Sequence, residues 1–250
     1  MKNFRIEVCA NSAISAIKAQ EGEAYRVELC AGIPEGGTTP SYGEITTARA
    51  LLTSTKLHVI IRPRGGDFLY NDTEQEIMLR DIEMAHKIGV DGIVIGCLTK
   101  EGDVDYIANK RLIEAAQGLN ITFHRAFDMC RNPSEALEAI IDLGCNRILT
   151  SGGCNNAYNG RFNLKELVLQ AAGRVIIMPG CGITPDNIKE IADYTGAQEF
   201  HFSGRSTYES EMLFRNDKVS MGGTVTIDEY KQAITNPDIV KAAIKALSDI

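Results

Sequence analysis

Eight short runs of β-forming residues alternate along this chain with segments of helical period, and no other feature limits its fold so strongly. The runs lie at residues 4–8, 25–29, 57–61, 92–95, 121–124, 147–150, 175–178 and 199–202. Their starts are roughly 20 to 35 residues apart, which leaves room for one strand, one helix and two short loops each time. Thr73 followed by Glu76 gives a capping-box pattern at the head of the third helical segment, with Ile77, Ile82, Ala85 and Ile88 on one face. Pro133 opens the fifth segment and Gly144 follows it; Thr184-Pro185-Asp186 opens the seventh and Gly196 follows it. No linker or low-complexity stretch divides the repeat. The pattern predicts one α/β domain, a (β/α)8 TIM barrel with its core over 1–205. Residues 206–250 are expected to add the last helix and a short C-terminal helical extension. One helical stretch is expected from Thr226-Ile227-Asp228-Glu229, after a loop at Met221-Gly222-Gly223, and another from Pro237-Asp238.

A length of 250 residues suits a single barrel. The formal net charge of −7 argues against nucleic acid or an anionic membrane as partner, because either needs a basic face. Lys2, Arg5 and Glu7 stand where a signal peptide needs an apolar core, and no apolar run approaches the roughly 20 residues that span a bilayer. A cytoplasmic location is expected. Seven cysteines, an odd number with no C-x-x-C pair, read as reduced thiols and not as a disulfide framework. Cys97, Cys130 and Cys145 are read as small buried hydrophobes.

A shorter repeat lies inside the larger one. Arg5-Ile6-Glu7-Val8-Cys9-Ala10 recurs as Arg26-Val27-Glu28-Leu29-Cys30-Ala31, with aliphatic exchanges alone. Strand alternation turns Ile6, Val8, Val27 and Leu29 toward the helices and Arg5, Glu7, Cys9, Arg26, Glu28 and Cys30 toward the barrel axis. The repeat predicts equivalent side chains at equivalent heights on the first two strands. The same parity sends His58, Ile60 and Arg62, Thr122 and His124, and Glu199, His201 and Ser203 inward. Arg5 and Arg26, low in the barrel, would pair with Glu7, Glu28 and Glu199, since buried charges need partners. Glu28, Cys9, Cys30, Arg62, His124, His201 and Ser203 fall near the C-terminal strand ends, where barrels carry their sites.

The loops supply further candidates. Arg62-Pro63-Arg64-Gly65-Gly66 is a cationic loop suited to a carboxylate or phosphate. His124-Arg125-Ala126-Phe127-Asp128 sets an imidazole, a guanidinium and a carboxylate at one strand end, with Asp128 able to orient His124. Ser151-Gly152, Gly180-Cys181-Gly182 and Ser203-Gly204-Arg205 follow strands six, seven and eight, as in a barrel phosphate cradle. No lysine stands on a strand end, which argues against a Schiff-base aldolase. There is no H-E-x-x-H and no P-loop.

Several of these stretches, in order, resemble the CutC family named for copper homeostasis. They are Arg26-Val27-Glu28-Leu29-Cys30, Gly36-Gly37-Thr38-Thr39-Pro40-Ser41, Arg62 to Phe68, Thr122 to Asp128, Leu149-Thr150-Ser151-Gly152 and Met178-Pro179-Gly180. The resemblance runs on to Ser220-Met221-Gly222. It implies a TIM barrel in the cytoplasm, a homo-oligomer (commonly a homodimer), and copper ion binding, with Cys9 and Cys30 as Cu(I) ligands. Soft thiolates are the ligands that Cu(I) prefers.

Two functions therefore stand open. One is copper homeostasis, with Cu(I) at Cys9 and Cys30 and His124 or His201 as auxiliaries. The other is an isomerase, lyase or hydrolase acting on a small anionic ligand such as a sugar or sugar phosphate. In the second, Arg62, Arg64, Arg125, Ser151, Gly152, Gly180, Gly182 and Ser203 would hold the anion. Glu28, His124, Asp128 and His201 would then move the proton.

Overall fold

The structure, a computed structural model, describes residues 4–223, 225 and 227–248. Each expected run is a strand, displaced by two residues at most. The first half carries β1 (Arg5–Ala10), α1 (Ala13–Glu21), β2 (Arg26–Leu29), α2 (Tyr42–Leu51), β3 (Lys56–Ile60), α3 (Asp72–Ile88) and β4 (Gly92–Ile95). The second carries α4 (Tyr106–Ala115), β5 (Asn120–Phe123), α5 (Pro133–Asp142), β6 (Arg147–Thr150), α6 (Arg161–Ala171), β7 (Ile176–Pro179), α7 (Ile188–Thr195) and β8 (Glu199–Phe202). Eight parallel strands follow the order β7-β6-β5-β4-β3-β2-β1-β8, with β7 and β8 meeting at the seam of a nearly closed barrel. An antiparallel hairpin of β9 (Arg205–Glu209) and β10 (Lys231–Thr235) precedes α8 (Pro237–Ser248), the eighth helix of the ring.

Ile6, Val8, Val27, Leu29, Phe200 and Phe202 lie in the apolar shell between strands and helices. Inside the barrel the apolar cluster is small: Cys30, Ile60 and Val94, with Cys9 and Ile33 against it. Leu149 and Met178 add to it, and the rest of the interior named by the alternation is polar. Gly92 is part of that interior because a Cβ there would meet His58 Nε2 at 2.5 Å and the Asn120 carbonyl oxygen at 2.6 Å.

The two copies of the short repeat are not level. β1 pairs with β2 as Glu7 with Arg26, Val8 with Val27 and Cys9 with Glu28, a stagger of two residues between equivalent positions. Closing a barrel requires such shear, and a sequence repeat does not reveal it. The stagger sets unlike charges side by side. Arg26 Nε bonds Glu7 Oε2, and Arg26 Nη2 lies 2.6 Å from Glu199 Oε2. Arg147 Nε reaches the same oxygen at 3.0 Å. Arg5, at the lower rim with 37% of its side chain exposed, lies 3.4 Å from Glu199 Oε1.

Three local expectations need correction. The capping box of α3 is formed by Asn71 and Glu74, two residues before the Thr73–Glu76 pattern, because the helix starts at Asp72. Ile77 is 43% exposed and Met78 takes its place in the core beside Ile82 and Ala85. The helix expected from Thr226 is replaced by a turn at Glu229–Tyr230 leading into β10, with Thr226 itself outside the described residues. Strand pairing with β9 outweighs the local helical signal there. The helix expected at Pro237 is α8.

Glu199 is the shared anion of three arginines. Glu199→Gln should cost about 3–5 kcal/mol in urea unfolding, the usual result of stranding buried charge. Lys18→Gln, removing half of an exposed pair with Glu21, should cost under about 1 kcal/mol.

Candidate functional site

Above the ionic layer, the C-terminal ends of β1, β2, β3, β5 and β8 enclose a cavity of about 270 Å³. Its walls include Cys9, Glu28, Cys30, Arg62, His124, Arg125, Asp128 and His201, eight of the sequence candidates. Ile33, Ile60, Phe68, Met129 and Leu149 supply the apolar part.

The inner end is a sulfur and carboxylate cluster. Cys9 Sγ and Cys30 Sγ are 3.9 Å apart. Ligand atoms of Cys9, Glu28 and Cys30 lie within 4.8 Å of one another, as do those of Glu7, Glu28 and His201. His201 Nδ1 is 2.8 Å from Glu7 Oε1, and its Nε2 is 3.6 Å from Glu28 Oε2. Arg205, the first residue of β9, donates to the Cys9 carbonyl at 3.2 Å and stands 3.4 Å from Cys9 Sγ.

These contacts shift every group in the cluster. The Cys30 hydrogen bond, helped by His201 and Arg205, holds Cys9 well below the usual thiol range despite burial. Cys30, donating to Cys9 and buried, is pushed well above it. Burial raises Glu28 to about 8, with the neighbouring Cys9 and Glu7 charges adding to the effect of burial and His201 opposing it. Burial works against a charged His201, but Cys9, Glu7 and Glu28 outweigh it and raise His201 well above the usual histidine range. These directions favour an imidazolium at His201, a thiolate at Cys9 and a protonated carboxyl at Glu28.

Register explains why the sulfurs approach without bonding. Cys9 is level with Glu28, so Cys30 lies two residues further along the neighbouring strand. Two residues of rise and one strand spacing put the α-carbons about 8 Å apart, beyond the roughly 7 Å that a disulfide spans without backbone movement. All seven cysteines are free thiols. A metal tolerates what a disulfide does not. With metal–thiolate bonds of about 2.3 Å, sulfurs at 3.9 Å subtend about 116° at the ion, an open angle that admits a third donor.

The outer end is built differently. Arg62 is buried and clamps the loops: its Nη1 donates to the Glu35 and Gly37 carbonyls at 2.9 and 2.8 Å, and its Nη2 to Gly66 at 2.8 Å. His124 Nδ1 accepts from the Ala126 amide at 3.2 Å, and burial with the Arg62 charge lowers its pKa to about 3. It is a neutral imidazole. Asp128 does not orient it. That carboxylate accepts from Arg125 at 2.8 Å, from Thr150, from the Ser151 amide and hydroxyl at 3.1 and 3.0 Å, and from Gly153 at 3.1 Å. Four donors from the strand-six exit and the neighbouring Arg125 saturate it.

Other candidates stand apart from the cavity. Arg64 turns to Glu74 at 2.5 Å and Asp67 at 3.0 Å. Ser151 bonds Asp128 and Arg125, and Gly152 packs on the Gly160 backbone. Gly180 lies against Leu149 and His201. Gly182 turns the chain at φ +72°, and its loop closes on itself: Asn187 accepts from the Thr184 amide at 2.9 Å and donates to the Gly182 carbonyl at 2.8 Å. The Ser203 carbonyl accepts from Thr235 at 3.3 Å, tying β8 to the arm. Arg147 was absent from the sequence candidates, and Arg205 entered only as the last residue of the loop after strand eight. Strand-six alternation, with Ile148 outward, was the available signal for Arg147; the loop motif at Arg205 suggested an anion and not a contact with Cys9.

The model of the CutC family matches residues 4–206. A family protein CutC of Bacteroides thetaiotaomicron is 59% identical over 247 residues, 99% of each chain. The copper homeostasis protein cutC homolog of Homo sapiens is 46% identical over 233 residues, 93% of this chain and 85% of that one. Among solved structures, CutC of Streptococcus agalactiae superposes with a TM-score of 0.77 at 36% identity, covering 80% of this chain and 98% of the other. No helix among the described residues is long and apolar enough to cross a membrane.

A thiol whose pKa is held down is more fully ionised near neutral pH, so its alkylation depends less on pH. Between pH 7 and 8.5 the rate of Cys9 alkylation by iodoacetamide should rise less than that of a free cysteine, and it should precede that of Cys30. In Cys30→Ala, loss of the donor raises the Cys9 pKa, so the rate should climb toward tenfold per pH unit below the new value.

Proposed function

The chain belongs to the CutC family, and we propose that it handles Cu(I) as cargo, held between Cys9 and Cys30 at the inner end of the cavity. The observation that carries this reading is the pair of free thiols 3.9 Å apart, held by strand register beyond disulfide reach. Cu(I) is soft and accepts few ligands, which suits two thiolates with Glu28 or His201 beside them.

Charge supports the same reading. Cu(I) entering between the Cys9 thiolate and the Cys30 thiol releases the Cys30 proton, and two thiolates with one monovalent ion carry a net charge of −1. The Arg205 guanidinium, 3.4 Å from Cys9 Sγ, and the His201 imidazolium oppose that charge. Glu28, neutral with its pKa near 8, adds no repulsion. Divalent ions prefer harder donors or more of them, so the site should favour Cu(I) over Mg(II) and Ca(II).

Seven unbridged cysteines are consistent with a reducing cytoplasm. The homodimer expected from the family belongs to the same proposal, supported by the exposed apolar residues Met212, Leu213 and Phe214 between β9 and β10.

Competition against a chromogenic Cu(I) chelator, under argon, checks the cargo. One equivalent should bind with nanomolar or tighter affinity. Cys9→Ser and Cys30→Ser should each weaken it at least 100-fold. Micromolar binding that the double variant leaves unchanged would end the proposal.

A further inference from the structure

A single ion leaves most of a 270 Å³ cavity empty, and the outer end has the wrong donors for a soft metal. Three polar atoms at or beside that end are buried without a hydrogen-bond partner among the described residues in their present geometry: Arg62 Nε and His124 Nε2 in the cavity wall, and Tyr70 Oη next to Arg62, outside the lining. All three are donors. His124 accepts at Nδ1, so its proton sits on Nε2. Arg62 and Tyr70 already stand close enough to interact through their side chains; with Arg62 donating to the Tyr70 oxygen, the Tyr70 hydroxyl still needs an acceptor. Arg62 is also an uncompensated cation. Its hydrogen bonds go to carbonyls alone, and no carboxylate among the described residues forms an ion pair with it. The other fully interior arginines, Arg26 and Arg147, share Glu199.

Buried donors without acceptors and a buried cation without a counter-ion are each costly, and one ligand relieves both. We propose that Arg62, Tyr70 and His124 form the seat of a small organic monocarboxylate, with its apolar body lying along Ile33 and Ile60 toward the sulfur pair. A carboxylate offers two oxygens with about four acceptor positions and one negative charge, matching three donors and one unpaired guanidinium. A phosphate dianion would overcompensate Arg62 beside Glu28 and Cys9. Phe68 covers the seat, half-buried, with its ring centroid 5.0 Å from both the Arg62 guanidinium carbon and the His124 ring. It must swing aside for entry. The seat is independent of the copper reading, since none of its donors is a sulfur ligand. Burial and Arg62 keep His124 neutral down to about pH 3, so its donor role persists across the physiological range.

Calorimetry on the full-length, copper-free protein at pH 7 in halide-free buffer tests the proposal, with acetate, butyrate and 2-oxobutyrate as probes and butyramide as neutral control. At least one carboxylate should bind, and its amide should bind tenfold or more weakly. His124→Asn keeps an acceptor near the Nδ1 position and deletes the Nε2 donor; Tyr70→Phe deletes only the hydroxyl. Each should weaken binding about five- to tenfold, while a variant carrying both Cys9→Ser and Cys30→Ser should bind as the parent does. Three outcomes would overturn the seat: no carboxylate binds, butyramide binds as well as butyrate, or His124→Asn and Tyr70→Phe bind unchanged.

Discussion

A two-residue stagger between β1 and β2 is the constraint from which the rest of the interior follows. Both strands carry the order Arg, Glu, Cys on their inward face. Set level, they would place arginine beside arginine and glutamate beside glutamate in a medium of low dielectric, where like charges repel strongly. Shear moves Glu7 beside Arg26 and Glu28 beside Cys9, so one motif used twice becomes a complementary pair. β8 extends the pattern: Arg5 lies level with Glu199, and Glu7 with His201.

The resulting interior is graded along its axis. The lower layer, Arg26, Glu7, Glu199 and Arg147, is neutral in sum and closed to ligand by its own bonds. Such layers confer little net stability relative to apolar packing, but removing one member is severe. Glu7 links this floor to the site, with one oxygen on Arg26 and the other on His201. That contact keeps the imidazolium charged, and the imidazolium in turn favours the Cys9 thiolate. The floor thus adds, through His201, to the hydrogen bond from Cys30 that chiefly governs the ionisation of Cys9.

Much of this was legible in the residue pattern, for definite reasons. Parallel strands buried on both faces leave short apolar runs, and the inward alternation of Arg26, Glu28 and Cys30 depends only on the pleat. Shear was not legible, because it belongs to barrel closure and not to either strand. Neither was the use of Asp128, adjacent to His124 in space and chain yet saturated by Thr150, Ser151, Gly153 and Arg125 from more distant positions. Arg64 followed its nearest carboxylates, Asp67 and Glu74, away from the cavity. A helical stretch was expected from Thr226, but Lys231–Thr235 pairs with β9, a tertiary choice that local propensity does not contain.

The central claim is that register brings two thiols together as a metal clamp, with cations around it to balance the complex. Anomalous diffraction at the copper edge, from crystals loaded with one equivalent of Cu(I), tests it most directly. A single anomalous peak should lie between Cys9 Sγ and Cys30 Sγ, within bonding distance of both and on the Arg205 side of Glu28. A peak on the exposed loops at Cys154 or Cys181, or a Cys9–Cys30 disulfide with no metal, would contradict the account.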